Sequence, residues 1–240
     1  MITYKGIIKN EVFKKINNGG NTMKKLVIDL GHGGYDPGAV GKGGTKESEV
    51  VLKIGKYLDS MLKEVDLDVR FTRLSDKYVS LGDRVEFANN FGADYFLSIH
   101  VNSASDSSVR GVEVWQYNND DKHLNEFCSS LCNEISGIFN IRNRGVKLSK
   151  GLYVLKNTSM KAALLEVDFI SNNFCEKDLN NDDNLKAIAR VIKDNLLKLY
   201  NIEDNKRLYK VCVGCYKERS NAINILNVAK SKGFGDAYII

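Results

Sequence analysis

The 240-residue chain has no apolar run approaching the ~20 residues a helix needs to cross a bilayer, so no segment reads as a membrane insertion. Its first 22 residues, MITYKGIIKNEVFKKINNGGNT, lack the apolar stretch and small-residue cleavage site of a secretory signal, which predicts synthesis in the cytoplasm. Cysteine is scarce and odd in number, and Cys128, Cys132, Cys175, Cys212 and Cys215 in a chain without a signal argue for reduced thiols over a disulfide framework. Cys212 and Cys215 form a lone C-x-x-C. They lie in the alternating run YKVCVGCY, whose strand pattern points them to opposite faces and so against a shared metal or redox role. A concentrated basic face is also missing. Of the net +5, residues 1–23 carry +3 and residues 207–240 carry +4, leaving −2 for the middle, so the main domain is not expected to bind nucleic acid.

What is present is ordinary for a globular protein: 43% hydrophobic and 27% charged residues, which excludes collagen-like, low-complexity and wholly disordered chains. The length suits a main domain with a small appendage. MKKLVIDLGHGG, from Met23, looks like a fresh start, making residues 1–22 an N-terminal extension. Strand-like runs then alternate with helical patterns. They are LVIDL, a helix from about Lys46 to Glu64, LDVRFTR, a helix from about Leu81 to Asn90, YFLSIH, GVEVWQY, a helix from about Lys122 to Phe139, GLYVL, AALLEV, and a closing helix near Asn184 to Tyr200. The alternation predicts an α/β domain over residues 23–201: a mixed, largely parallel twisted sheet flanked by helices on both faces. The polar run at residues 202–206 reads as a linker, and residues 207–240 as one small β-α-β unit too short to hold a core alone.

Candidate chemistry sits at strand ends. GHGGYDPG places His32 just past LVIDL, where open α/β sheets build their sites, and its glycine spacing fails both common phosphate-loop templates. YFLSIHVN ends a second strand in His100, with Asn102 on the same side if the strand continues. Two of the chain's three histidines ending strands in this way point to metal ligation, completed by a carboxylate from Glu47 or Glu49 at the next helix start. Glu166, beside a buried apolar run, is the fourth element, because an ionised carboxylate there is costly unless paired or functional.

The ordered set GHGGYDPGAVG, KESEVVL, FTRLSDKYVSLGDRVEFAN, DYFLSIHVN, GVEVWQY, RGVK, LYVL and ALLEVDFISN resembles the zinc-dependent N-acetylmuramoyl-L-alanine amidases of the Amidase_3 family, over about residues 24–201. The resemblance implies a peptidoglycan hydrolase that cuts the amide between N-acetylmuramic acid and L-alanine, with Zn²⁺ held by His32, Glu47 and His100 and a position open to water. It implies Glu47 over Glu49, because the family's E-x-D/E-x-x-L stretch matches Glu47–Leu52, and it implies Glu166 as the catalytic general base. Asn102, near the metal site by its place on the strand, is a substrate-binding candidate, and so by resemblance is the helix arginine Arg84, for which a structural role is at least as open. Residues 207–240 are similar to the first half of a SPOR domain, a module associated with septal peptidoglycan. Half a module predicts a homodimer that pairs two copies. The whole then reads as an endolysin or autolysin that reaches the wall after holin-type release or cell lysis.

Overall fold

A computed structural model describes residues 23–203 and 218–231. The chain divides into two compact units between Asp204 and Asn205. The larger is built on six strands: β1 (Lys25–Leu30), β2 (Asp68–Phe71), β3 (Tyr95–Asn102), β4 (Val112–Gln116), β5 (Asn143–Leu148) and β6 (Lys161–Phe169). They form one sheet in the order β2-β1-β3-β6-β4-β5, parallel throughout except where β4 runs against β6. The helices are α1 (Glu47–Leu62), α2 (Leu81–Phe91), α3 (Lys122–Phe139), α4 (Tyr153–Asn157), α5 (Asn173–Leu179) and α6 (Asp182–Leu199).

Alternation along the strands explains the layering. Leu26, Ile28 and Leu30 of β1, Leu97 and Ile99 of β3, and Leu165 of β6 turn to one face, where they pack against Ile54 and Leu58 of α1, Leu131 and Ile135 of α3, and Ile188 and Ile192 of α6. Val27, Phe96 and Leu164 turn to the other, against Val85 and Ala88 of α2 and Val154 and Leu155 of α4. Both faces are covered, as parallel sheets require, but the second carries only two of the shorter helices. Local signals start and stop these elements. The Ser80 side chain accepts from the Asp83 N–H to cap α2, and Gly92 ends that helix at φ +65°, a conformation glycine adopts without strain.

The fold class is as the sequence implies, with corrections in detail. GLYVL is not a strand: its last residues open α4, and the remaining place in the sheet, at the edge and parallel to β4, is taken by β5, whose sequence NRGVKL carries no buried alternation because an edge strand is only half covered. Helix α5 was not foreseen; Asn172 caps it by accepting from the Phe174 and Cys175 N–H groups. In the smaller unit, α7 (Arg219–Ser231) is described, and none of its residues is buried. The strand readings around it, the Cys212/Cys215 pair and the extension 1–22 lie outside the described residues.

Candidate active site

Strands β1, β3 and β6 end where β4 and β5 begin, so one rim of the sheet collects residues from five strands. His32 lies two residues past the end of β1, after Gly31, at φ +58°. Its loop is pinned from below by two arginines. Arg73 donates to the Leu30, Gly31 and Ser48 carbonyls, and Arg84 donates to those of Leu30, His32 and Val79 and to Asp29. Glycine is required here twice over: a Cβ on Gly31 would lie 2.3 Å from the His100 ring, and one on Gly38 2.6 Å from both Glu47 Oε2 and the His32 ring.

Glu47 opens α1 and is buried. Its Oε1 meets His100 Nδ1 at 2.9 Å and its Oε2 meets His32 Nε2 at 3.2 Å, while the Val101 and Ala39 N–H groups donate one to each oxygen. On its other side, His32 Nδ1 lies 2.9 Å from Asp36 Oδ2, a carboxylate that orients the ring. Glu49, by contrast, has a side chain 58% exposed and pairs with Lys46, away from both imidazoles. One ligand atom each from His32, Glu47 and His100 lie within 4.8 Å of one another, so the three could hold a metal ion. Two imidazoles and one carboxylate with a carboxylate behind one ring is a donor set suited to a catalytic zinc, which keeps one position open.

The three groups also set one another's protonation. Burial works against a charge on His32, but the hydrogen bonds and charges of Glu47 and Asp36 outweigh it and raise the imidazole pKa to about 9. Burial likewise opposes His100, and Glu47, Glu166 and Asp29 raise it all the same. Burial would raise Glu47; its bonds to His100 and His32 instead hold it well below the usual carboxylate range.

Glu166 stands opposite His100 in the β3–β6 register and opposite Glu113 in the β4–β6 register, so the three form a row across neighbouring strands. Its Oε2 is buried without a hydrogen-bond partner among the described residues, and burial pushes its carboxyl up to about 7. An orphaned carboxyl oxygen beside a metal-type donor set suits a group that exchanges a proton.

The sequence reading missed Glu113. It accepts from Asn102 Nδ2 (3.0 Å), Trp115 Nε1 (3.1 Å), Arg144 Nε (2.8 Å) and Lys147 Nζ (2.6 Å). A carboxylate inside the apolar run GVEVW was the signal, the same one that singled out Glu166. Asn102 stands at the rim as anticipated, but its Nδ2 is turned to Glu113 and its Oδ1 accepts from the Ser103 N–H. Arg84 lies only 3% exposed beneath the loop, where it supports His32 through the backbone. Arg73 and Asp36 were also not anticipated.

The chain and its fold resemble those of known proteins. The family model described as N-acetylmuramoyl-L-alanine amidase, Amidase_3, matches residues 26–198. The sporulation-specific N-acetylmuramoyl-L-alanine amidase of Bacillus subtilis (strain 168) is 34% identical over 222 residues, covering 91% of this chain and 85% of its own. N-acetylmuramoyl-L-alanine amidase AmiA of Escherichia coli (strain K12) is 27% identical over 254 residues, covering 85% and 88%. Among solved structures, the catalytic domain of the amidase CwlV from Bacillus (Paenibacillus) polymyxa var. colistinus superposes with a TM-score of 0.70 at 32% identity, covering 75% of this chain and all of that one. Fold and sequence therefore agree: the chain belongs to the N-acetylmuramoyl-L-alanine amidase family Amidase_3.

Proposed function

We propose that this protein hydrolyses the amide between the lactyl group of N-acetylmuramic acid and the L-alanine of the peptidoglycan stem peptide, with zinc held by His32, Glu47 and His100. The observation that carries the reading is the convergence of these three side chains on the sheet rim that also bears Glu166 with its unpartnered oxygen. When bound, zinc supplies a Lewis acid that polarises the scissile carbonyl and acidifies water. Glu166 accepts the proton of the attacking water and returns it to the departing alanine nitrogen, so that C–O forms, C–N breaks and a carboxylic acid and an amine result. A carboxyl near 7 can do both at neutral pH. Asp36 and the backbone donors on Glu47 keep the ligands oriented, and Asn102 is held at the rim by Glu113.

In this reading the protein is a wall-lytic enzyme of the endolysin or autolysin kind, and residues 207–240, half of a SPOR-like module, supply wall affinity by pairing with a second chain. The +4 charge of that segment and the exposure of Ile223 and Val228 on α7 support it.

Mass spectrometry of digested peptidoglycan tests bond and metal together. New L-alanine amino termini on an intact glycan are expected, and they should vanish with chelator. Glu166→Gln should keep its zinc while the rate falls by ~10²–10⁴. Cleavage within the stem peptide, chelator-insensitive lysis, or a Glu166→Gln protein of near-full rate would overturn the assignment.

A further inference from the structure

The row of site residues has two chemically different ends. Beyond β1, Tyr35 in the His32 loop and Tyr78 in the loop after β2 stack on each other, ring centroids 4.2 Å apart at 24°, and yet stay 78% and 43% exposed. The pair is fixed in place: the Gly34 N–H bonds Asp76, and the His32 loop is held by Arg73 and Arg84. Beyond β4, at the opposite end, a cavity of about 450 Å³ is lined by Arg110, Arg142 and Arg144. Arg110 is neutralised by Asp168 and Asp178, and Arg144 by Glu113. The Arg142 carbonyl accepts from the Val112 N–H, but its guanidinium has no hydrogen bond or ion pair among the described residues and the residue is exposed, so the cavity keeps an uncompensated positive charge.

A muramoyl-peptide is asymmetric in the same sense. A sugar ring with apolar C–H faces lies on one side of the scissile amide, and a carboxylate-bearing peptide lies on the other. Resting on the amidase reading above, we infer that substrate lies across the sheet rim in one direction, glycan on the Tyr35–Tyr78 platform and stem peptide toward Arg142 and Arg144. The spans agree. Strands sit about 4.8 Å apart, so β5 lies roughly 10 Å from Glu166 on β6, as does β1 on the other side. An extended peptide covers ~3.3–3.6 Å per residue, which brings a carboxylate on the second or third residue to Arg142. One pyranose and its lactyl group bridge the other half. The tyrosine faces suit the flat apolar side of a sugar, and the Arg142 guanidinium suits a carboxylate.

The test compares four synthetic substrates: a muramoyl-tripeptide with free or amidated carboxylates, each with the sugar or with the lactyl group alone. Wild-type kcat/KM should fall about tenfold on amidation, one charge-assisted contact, and about fivefold on loss of the sugar. Arg142→Ala should erase the response to amidation and keep the response to the sugar; Tyr35→Ala combined with Tyr78→Ala should do the reverse, and Arg142→Lys should restore part of the first. Both positions are exposed enough for the fold to survive, and calorimetry with the same substrates on a Glu166→Gln background reads binding without turnover. Unchanged sensitivities in both variants, or sensitivities exchanged between the two ends, would overturn the inference while leaving the amidase intact. A wild type that cleaves none of the four would overturn the amidase reading and the inference with it.

Discussion

Removing the Asp29 carboxylate should cost this protein a large part of its stability. Asp29 is buried on β1, facing the thinner layer, and accepts from Thr72 Oγ1 at 2.7 Å, Ser98 Oγ at 2.7 Å and Arg84 Nη1 at 2.6 Å. Asp29→Ala leaves the Arg84 guanidinium in place without its counter-ion, and breaking a buried pair from one side costs about 3–5 kcal/mol. The two hydroxyls can rotate toward other acceptors, so little is added for them. Asp29→Asn keeps the shape and still offers one oxygen to Arg84 and Thr72, and should cost about half as much. Against a domain stability of roughly 5–15 kcal/mol, the alanine variant is expected to unfold near the edge of ordinary conditions. Urea unfolding at pH 7, followed through Trp115, the chain's single tryptophan, gives both differences, with far-UV circular dichroism as the second probe. Because Arg84 also holds the His32 carbonyl, the affinity of the proposed metal site should fall in the same order. A loss under about 1 kcal/mol for alanine, or an asparagine variant worse than alanine, would refute the reasoning.

Gly31→Ala places a methyl where the His100 ring lies, so metal content by mass spectrometry should drop well below one per chain while circular dichroism stays native; full occupancy would show that the ring has room to move. Glu166→Gln should stabilise the metal-free protein selectively at high pH. The folded carboxyl titrates near 7 and an unfolded one near 4.5, so wild-type stability is lost as pH rises between these values, by up to about 3 kcal/mol. The variant should therefore gain on the wild type by up to that amount at pH 8 and by nothing below pH 4.5, and an equal difference at both would refute the burial of this group.

How far the sequence carries depends on how local each signal is. LVIDL, YFLSIH and AALLEV are apolar because parallel strands are covered on both faces, so their presence and the α/β class were legible at once. β5 was not, since an edge strand of partly exposed residues carries no such run, while the apolar GLYVL that was read in its place buries Val154 and Leu155 from a short helix. His32 and His100 were legible as strand-end histidines, and Glu166 as a carboxylate in an apolar run. Spacing alone left Glu47 and Glu49 open; their separation by two positions turns them about 200° apart on the helix, one to the core and one to water. Arg84 was singled out by resemblance with a structural role open, but the carbonyls that it and Arg73 hold were invisible, because no residue identity announces a backbone partner.

The reversal of β4 explains how two carboxylates can face each other at the rim and behave differently. Because β4 runs against β6, the residue opposite Glu166 is Glu113, near the start of its strand, and the segment that feeds it arrives at the end where the metal-type ligands lie. Burial alone would raise both carboxyls. Glu113 escapes that rise through Lys147 and Arg144 on β5 and through Trp115, which hold it below its ordinary range. Among the described residues Glu166 has no such donors on its Oε2, and beside its burial the negative charges of Glu47 and Glu113 add to its rise. Two titratable groups pushed apart by their surroundings are the arrangement in which one can stay ionised while the other exchanges a proton near neutral pH. β5 is thus more than a sheet edge: its cations keep Glu113 charged, and a charged Glu113 helps keep Glu166 able to hold a proton.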